Sequence, residues 1–523
     1  MKKRTKGILA FAFFGGLMLT SGVVIGIPGL IPEPDDSIGD GVSGDPNSYS
    51  IDEQIRFCES STAKTTPYIT EYKISTWCVQ PLAIFVDDSS NVWFTQTNTG
   101  GLGMFDPKTE TFTDYPNPQW TSDSRSMMWG IDSSSDGNIW FTDDSFDSIW
   151  QFDPVMNTYT MIPFPVETRS LPQKLSIINS SIIINDFTGA KLALLDIADA
   201  KSMDTEYSLL PSPVENSFTS DVALDSNGSL WFTNWVFQKG GVLSNIPFDS
   251  FRDDLDSVLT NSSKAYPFPP GLTTPNGLVA DKNDNIWIVD TSSNFFFKFD
   301  PIKETFTRYV TSIPTVSTYG NVTGVIVNPV SRPYWIDVTD DNLLVFNEQT
   351  ANRIGVFDPE SEVLVEYLIP SMNPFWADCQ IMKNCGLAQV FDFAIDGDLI
   401  WFTEWVENNI GVVDTSIPLP YTLNFNDTDV VIPRGTVGTV SATLEKVADQ
   451  TGGTVSPTSN IFSPLSDIVI IPFGSDPEDA ALRNTINYNI VVSDTALIGK
   501  HRVLLGGDAG NVSVSQFITI TVT

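Results

Sequence analysis

The chain is 523 residues long, and its 64 acidic residues outnumber its 28 basic residues, which gives a formal net charge of −36. This imbalance excludes a nucleic-acid-binding protein with a basic face, because phosphate binding needs clustered Lys and Arg side chains. It also argues against docking on an anionic lipid surface. The chain contains one histidine, His501. Catalytic triads and histidine-based zinc sites are therefore excluded everywhere far from that residue.

The N-terminus predicts export. Lysine and arginine residues among the first six positions precede residues 7–31, which carry no charge. This stretch is long enough to span a bilayer as an uncleaved signal-anchor, with everything after it outside the cell. A cleaved signal peptide within residues 1–31 is the alternative, although no clean A-x-A-like cleavage site is present. Residues 32–50 are rich in Gly, Pro, Asp and Ser, which is typical of a flexible linker.

The four cysteines agree with an oxidising compartment. No CxxC pattern or Cys/His metal spacing occurs, so disulfides are expected. Four cysteines allow three connectivities, and we predict the two pairings that are local in sequence, Cys58–Cys78 and Cys379–Cys385.

A pair of short strand motifs recurs through the middle of the chain. The second strand of each pair reads NVWFTQ, NIWFTD, SLWFTN, NIWIVD or LIWFTE, with divergent copies IIINDF and LLVFNE. The Trp position of this motif, called here the marker position, falls at residues 93, 140, 231, 287 and 401, and at residues 183 and 345 in the divergent copies, which carry Ile and Val there. These spacings are in the range of propeller blades. Turns rich in Asp, Asn, Ser and Gly precede the marker strand, and a strand ending in Phe-Asp-Pro follows it in most copies. Each repeat is therefore predicted to be a four-stranded antiparallel meander.

Seven such repeats predict an all-β chain with a seven-bladed β-propeller over residues 51–419. The seventh repeat lacks a fourth strand, whereas residues 68–74, ahead of the first repeat, resemble the fourth strand of repeat six (365–370). We therefore predict that residues 68–74 supply the outer strand of blade seven and close the ring.

The composition changes after residue 419. Residues 420–523 contain no Trp and many Val, Thr and Ile in alternating runs, which predicts a small immunoglobulin-like β-sandwich. It either presents and spaces the propeller or is an inert cap.

The repeat P-x-G-I … D-x-x-N-I-W-F-T-[EDQN] … I-G-x-F-D-P resembles the virginiamycin B lyase (streptogramin lyase) family of propellers over residues 68–415. The resemblance implies elimination from a cyclic depsipeptide, with a bound magnesium ion and a histidine and a glutamate near the channel mouth. Glu404 of the WFTE motif matches the glutamate. The propeller region contains no histidine, so the base of the family mechanism has no counterpart here.

Polar residues cluster at one predicted end of the propeller, which we call the rim. The residue three positions after each marker is expected there, and these residues are Gln96, Asp143, Asp186, Asn234, Asp290, Glu348 and Glu404. The starts of the first strands add Asp221, Asn276 and Asp392. Oxygen ligands without nitrogen or sulfur favour Mg²⁺ or Ca²⁺. The candidate metal ligands are therefore Asp143, Asp221, Asp290, Glu348, Asp392 and Glu404. The alternative is a solvated polar rim whose Asp and Asn side chains cap strand ends.

Three aromatic residues stand beside the same strand starts. Trp129, Tyr334 and Phe391 are candidate walls of a pocket, with Asn234 and Asn276 as polar contacts. Packing between blades is the alternative for the aromatic residues.

Two function classes follow from these patterns. The first is an exported, membrane-tethered propeller that binds a small molecule or a cell-envelope partner without turnover, with the membrane contacted only through the N-terminal segment. The second is a metal-dependent lyase or lactone hydrolase, in which a cation polarises an ester carbonyl and Glu404 acts as the catalytic base.

Overall fold

The computed structural model describes residues 49–523 except residues 121–125, 166–169, 201–204, 238, 254, 256–262, 321–329, 380–381, 383, 447–454, 462–466 and 474–484. The predicted export segment and nearly all of the predicted linker lie outside the described residues. Within the described residues, no helix has both the length and the apolar character needed to cross a membrane.

In the part of the chain that the structure describes, the propeller has seven blades of four antiparallel strands, as the sequence predicts. Six blades are separate sheets, and the strands of blade six belong to a larger sheet that is described below. Blade one consists of β2 (Pro81–Val86), β3 (Val92–Gln96), β4 (Leu102–Asp106) and β5 (Thr111–Tyr115). Blade two consists of β6 (Ile131–Ser133), β7 (Ile139–Asp143), β8 (Ser148–Asp153) and β9 (Thr158–Pro163). Blade three consists of β10 (Pro172–Ile178), β11 (Ser181–Asp186), β12 (Lys191–Asp196) and β13 (Ser208–Pro211). Blade four consists of β14 (Phe218–Leu224), β15 (Ser229–Val236), β16 (Gly240–Pro247) and β17 (Lys264–Pro267).

The remaining blades follow the same order. Blade five consists of β18 (Pro275–Ala280), β19 (Ile286–Asp290), β20 (Phe295–Asp300) and β21 (Thr305–Val310). Blade six consists of β22 (Pro333–Val338), β23 (Leu344–Glu348), β24 (Arg353–Asp358) and β25 (Val363–Leu368). Blade seven consists of β26 (Phe393–Asp396), β27 (Leu399–Glu404), β28 (Asn409–Asp414) and β1 (Ile69–Lys73). Short helices span Ile51–Phe57, Phe248–Asp253 and Val316–Tyr319, and a 3-10 helix spans Pro374–Trp376.

The ring closes through the N-terminal strand. β1 pairs antiparallel with β28, from Ile69 opposite Val413 to Lys73 opposite Asn409. The closure predicted from the resemblance of residues 68–74 to the fourth strand of repeat six is confirmed. The outer strand of the last blade therefore comes from the other end of the propeller sequence, and this pairing joins the two ends.

The repeated Trp and Thr residues hold the blades internally and to each other. The indole N–H of Trp93 donates to Asp87 in the preceding turn at 2.8 Å, and Trp231 and Trp287 make the same bond to their own turns. The Thr after the marker crosses to the next blade, since Thr142 Oγ1 donates to the carbonyl of Gln173 at 2.6 Å. Thr403 of blade seven donates to blade one in the same way. The WFT motif is thus explained by structure alone.

The segment before β1 is fastened to the rim. Ser50 caps the helix Ile51–Phe57 through reciprocal hydrogen bonds with Glu53. A disulfide joins Cys58 to Cys78, and a second joins Cys379 to Cys385 in the connection between blades six and seven. Both pairings are those predicted from the sequence.

The C-terminal region is a sandwich of two sheets, as predicted. Its strands are β29 (Tyr421–Phe425), β30 (Asp429–Ile432), β31 (Val437–Lys446), β32 (Ser456–Ile461), β33 (Ile468–Phe473), β34 (Thr485–Val492), β35 (Gly499–Asp508) and β36 (Val512–Val522). One sheet has the order β29-β31-β34-β33, and the other contains β32, β35, β36 and β30. Tyr488 and Ile490 from the first sheet pack with Val503 and Ile518 from the second in one apolar core.

The sandwich is continuous with the propeller. β36 pairs antiparallel with β25, the outer strand of blade six, from Tyr367 opposite Val512 to Val363 opposite Gln516. Phe517 packs into the core between blades five and six, where it meets Tyr309 edge-on at 5.0 Å. The sequence did not predict this attachment. It fixes the sandwich to one blade by backbone hydrogen bonds.

Candidate functional site

The predicted rim residues are all present at the ends of the second strands, but they are buried rather than solvated. The alternative of a polar rim that is exposed to solvent is therefore wrong, although the capping that it included does occur. The seven residues fall into two groups according to side-chain length and to what each side chain contacts.

The short side chains fold back and cap the loop before their own blade. Asp290 accepts from the backbone N–H of Thr274 at 2.8 Å and from the hydroxyls of Ser292 and Ser293. Asp143 accepts from Trp150 Nε1 at 2.9 Å and from two backbone N–H groups, and Asp186 accepts from the backbone N–H of Leu171 at 2.7 Å. Burial raises the pKa of each of these three carboxyls, while the hydrogen bonds oppose that rise. Their contacts are those of structural caps.

Asn234 belongs with this group. Its amide donates to Thr219 Oγ1 at 3.1 Å and accepts from Ser244 Oγ at 3.3 Å, both within blade four. Asn276, the other predicted amide contact, is buried, and its Oδ1 has no hydrogen-bond partner among the described residues.

The long side chains at this position run across the blade to the outer strand. In blades one, six and seven the third strand carries a glycine at the crossing point, namely Gly103, Gly355 and Gly411. A Cβ at Gly103 would lie 2.9 Å from Gln96 Nε2, and a Cβ at Gly411 would lie 2.2 Å from the Phe402 ring. In each of these blades the residue opposite the glycine on the outer strand is acidic, namely Asp114, Glu366 and Glu71. The glycine therefore makes room for a polar pair within an apolar sheet.

In blade one the pair is an amide and a carboxylate. Gln96 Nε2 donates to Asp114 Oδ1 at 2.7 Å. An amide N–H is present at every pH of interest, so this contact needs no additional proton.

In blade seven the pair is two carboxyl groups. Glu71 accepts from the backbone N–H and hydroxyl of Ser371 and from the backbone N–H of Lys64, at 2.7 to 2.9 Å. Glu404 accepts from Asn409 Nδ2 at 2.7 Å, whereas its Oε1 finds no donor among the described residues. Burial, and then the neighbouring Glu71, raises the pKa of Glu404 well above its usual value. This environment favours the protonated form of Glu404, which has fewer hydrogen-bond donors around it than Glu71 has.

Blade six repeats this arrangement. Glu366 accepts from the backbone N–H of Ser312 at 2.9 Å, and Arg353 Nη1 lies 3.5 Å from Glu366 Oε1. Both oxygens of Glu348 lack a donor among the described residues, and burial with the proximity of Glu366 raises the pKa of Glu348. This environment favours the protonated form of Glu348.

These contacts bear on the predicted magnesium or calcium site. Among the residues that the structure describes, no group of three or more His, Cys, Asp or Glu side chains is arranged to hold a metal ion. As placed, the rim carboxyls do not fit a shared cation, because each is satisfied by hydrogen-bond donors or paired with another carboxyl. The metal site stays a prediction, and no chemical step is derived from it.

The three predicted aromatic residues do come together. Trp129 of the blade-two connection lies 5.5 Å from Phe391 and 6.3 Å from Tyr334, measured between ring centroids. Blades two, six and seven contribute these rings, so the contact crosses the central channel. All three are buried in one extended apolar cluster, with Trp235, Trp335 and Trp405 among its other members. The rings pack on one another, and their contact with a ligand stays a prediction.

The channel also contains charged residues that the sequence reading missed. Lys174 on β10 of blade three reaches across the channel, and its Nζ lies 2.8 Å from Asp392 Oδ1 next to blade seven. The same ammonium lies 4.8 Å from the centroid of the Trp335 ring. Asp132, Asp221 and Asp337 on the first strands of blades two, four and six interact electrostatically with Lys174. One lysine thus ties opposite sides of the ring together and partly neutralises four carboxyl groups.

Asp221 is a channel carboxyl with a raised pKa. Its deep position raises its pKa to about 7, and Lys174 opposes that rise. Asp221 is half-buried and Asp337 is exposed, so solvent reaches this part of the channel.

Sequence signals for the missed residues existed. Lys174 is the one charged residue of a first strand that reads PQKLSII. Glu71 and Glu366 occupy matching positions in the two segments whose resemblance predicted the ring closure. Three sequence features occur together only in repeats one, six and seven. They are a Gln or Glu after WFT or its variant, a Gly in the third strand and an acidic residue before Tyr in the fourth strand.

Comparisons with known proteins identify the fold. Virginiamycin B lyase from Staphylococcus aureus superimposes with a TM-score of 0.50 at 22% identity, over 66% of this chain and 98% of that chain. A streptogramin B lyase structure gives 0.50 at 21% identity, over 66% and 96%. A catalytically inactive variant of the Staphylococcus aureus lyase with quinupristin gives 0.50 at 21% identity, over 66% and 98%. No family model and no curated protein sequence matches the chain. The chain therefore has a streptogramin lyase-like propeller fold, and identities this low establish the fold alone.

Proposed function

We propose that this protein is an exported, membrane-tethered β-propeller that binds a ligand or a cell-envelope partner without chemical turnover. The observation that carries this proposal is the environment of Glu404. Its carboxyl is buried within blade seven, hydrogen-bonded to Asn409 and paired with Glu71. A base must reach the proton that it removes, whereas the carboxyl of Glu404 is buried within the sheet and its raised pKa favours the protonated form.

Two further observations support a binding role. His501 lies in β35 of the sandwich, so the propeller has no imidazole to replace the missing base. The blades are joined by Thr hydrogen bonds, and the sandwich continues blade six, which gives a rigid surface suited to partner binding.

Export is supported by the charge pattern of the N-terminus and by the cysteines. All four form disulfides, which persist in oxidising compartments. The uncharged residues 7–31 are long enough to serve as the anchor.

A metal-dependent lyase or lactone hydrolase is the second candidate. The fold similarity to streptogramin lyases and the pKa of Asp221, raised to about 7, favour it. A carboxylate with such a pKa can act as a base near neutral pH. Asp221, rather than Glu404, would then be the residue to test.

The two candidates are separated by incubating the full chain in detergent with a B-type streptogramin, with and without Mg²⁺. We expect no linear product above background when the reaction is followed by mass spectrometry. Turnover that is lost in Asp221→Asn but kept in Glu404→Gln would overturn the binding proposal and establish the enzyme. The Glu404→Gln variant serves as the matched control, because the amide preserves the buried contact seen in blade one.

A further inference from the structure

Three neighbouring segments at the rim present exposed apolar side chains. They are the helix Ile51–Phe57, the connection between blades five and six around residues 313–320, and the connection between blades six and seven around residues 373–387. Exposed large apolar residues on these segments are Ile51 (74%), Ile313 (50%), Val316 (52%), Phe375 (46%) and Met382 (36%). We call these five residues the rim patch.

Contacts between the segments hold them next to one another. Asn373 Nδ2 donates to the carbonyl of Ile55 at 2.8 Å, and Trp376 Nε1 donates to that of Arg56 at 2.8 Å. The backbone N–H of Gly386 donates to Ser317 at 3.0 Å, and that of Asp378 donates to Tyr319 at 3.2 Å. Both disulfides of the chain lie in or beside these segments. The patch is therefore held in place before any partner binds, which reduces the entropy lost on binding.

The N-terminal part of the chain joins the folded domain at this same surface. Tyr49 packs against Phe57 with ring centroids 6.5 Å apart, and Phe57 packs against Trp376 at 5.9 Å. Only residues 32–48 separate Tyr49 from the uncharged residues 7–31. A segment of that length spans at most about 60 Å even when it is fully extended. The anchor therefore keeps the rim patch at a high local concentration near the bilayer.

We propose that the rim patch inserts its apolar side chains into the surface of the bilayer that holds the N-terminal anchor. The bound surface is the headgroup–acyl boundary of a bilayer with neutral headgroups. Attraction by anionic lipid is not the cause, since the chain carries a net charge of −36. The inference rests on the membrane tether of the proposed function.

Other exposed apolar residues provide a contrast. Val155, Met156 and Ile302 lie on third-to-fourth-strand turns of blades two and five, at the end opposite the rim. β36 starts beside the rim end of β25 and runs past the opposite end of blade six. Leu497 and Ile498 lie next to the far end of β36, on the side of the sandwich away from the rim. When the rim contacts the bilayer, the exposed apolar residues of these turns and of the sandwich point away from the bilayer.

The test uses the full chain in phosphatidylcholine nanodiscs. A single cysteine at Val316→Cys carries an environment-sensitive fluorophore, and Ile498→Cys carries the same label in the control protein. We expect doxyl-labelled lipid to quench the label at position 316 and to leave the label at position 498 unchanged. Adding Phe375→Ser and Met382→Ser should lower the quenching at 316 to the control level, whereas Val155→Ser with Met156→Ser should not change it.

Equal quenching at the two labels, or quenching at 316 that survives loss of Phe375 and Met382, would overturn the inference. Quenching that increases when anionic lipid replaces part of the phosphatidylcholine would also overturn it, because headgroup attraction would then be the cause. If the label shows no lipid contact and the protein shows no lyase activity, this inference is refuted and the binding proposal stands. If the protein shows lyase activity and the label shows lipid contact, the binding proposal is refuted and this inference stands.

Discussion

Blades six, seven and one are adjacent in the ring and differ from blades two to five in how they place the polar residue after the marker strand. In the first group a long Gln or Glu crosses a glycine and meets an acid on the outer strand. In the second group a short Asp or Asn turns back and bonds within its own blade. Side-chain length and the presence of a glycine on the third strand, opposite the residue two before the Gln or Glu, therefore decide between two uses of one repeat position.

The difference matters most for protons. A short Asp with several N–H and O–H donors is satisfied as an anion, whereas a Glu facing another Glu is satisfied only when one of them is protonated. Blade one avoids this requirement because Gln96 supplies its own N–H. Blades six and seven therefore couple their packing to pH more directly than blade one does.

The largest effect is expected at the third-strand glycine of blades one, six and seven, where the long Gln or Glu side chain crosses the sheet. Gly411→Val would place a side chain into the Phe402 ring, which lies 2.2 Å from an added Cβ. We expect the free energy of unfolding to fall by about 3 kcal/mol, because overpacking in a closed sheet forces the backbone to shift. Urea denaturation measures this loss.

The matched control for this variant is Ser244→Ala in blade four. Ser244 occupies the same register position, opposite Phe232, but already carries a side chain. Its loss should stay below about 1 kcal/mol, the contribution of one hydrogen bond. Similar losses in the two variants would show that the glycine does not define a separate class of blade.

In blades two to five, stability should depend on the short Asp or Asn that caps a loop. Asp290→Ala leaves the backbone N–H of Thr274 and two serine hydroxyls without their acceptor. We expect a loss of about 2 kcal/mol, and a smaller loss in Asp290→Asn, which keeps one acceptor oxygen. If the asparagine variant is as unstable as the alanine variant, the carboxylate has a role beyond capping. Thermal and urea unfolding of the purified variants provide the comparison.

The sequence predicted the fold further than it predicted the site. The WFT motif recurs because it serves bonds local to one blade or to the next, so its spacing predicts seven blades. The resemblance of residues 68–74 to residues 365–370 predicts the closing strand. The Glu404–Glu71 pair joins residues at opposite ends of the propeller, and the Lys174–Asp392 bond crosses the channel. Such contacts depend on three-dimensional closure, and a reading along the chain does not bring these residues together. The pairing of β36 with β25 was not predicted from the sequence for the same reason.

The smallest expected effect is the exchange of Gln and Glu between the two kinds of crossing pair. The folded-state pKa of Glu404 is raised above its unfolded value, so the folded protein holds this proton more tightly. The corresponding stability is present below the unfolded pKa, near 4.5, and is lost as pH rises through the folded pKa. Glu404→Gln replaces the proton with an amide N–H. We therefore expect this variant to match the wild type at pH 4 and to exceed it by about 1 kcal/mol at pH 8. Gln96→Glu in blade one should do the opposite, with unchanged stability at pH 4 and a loss of similar size at pH 8. Urea unfolding of both variants at the two pH values measures the exchange, and differences from the wild type that do not depend on pH would show that no proton is shared in blade seven.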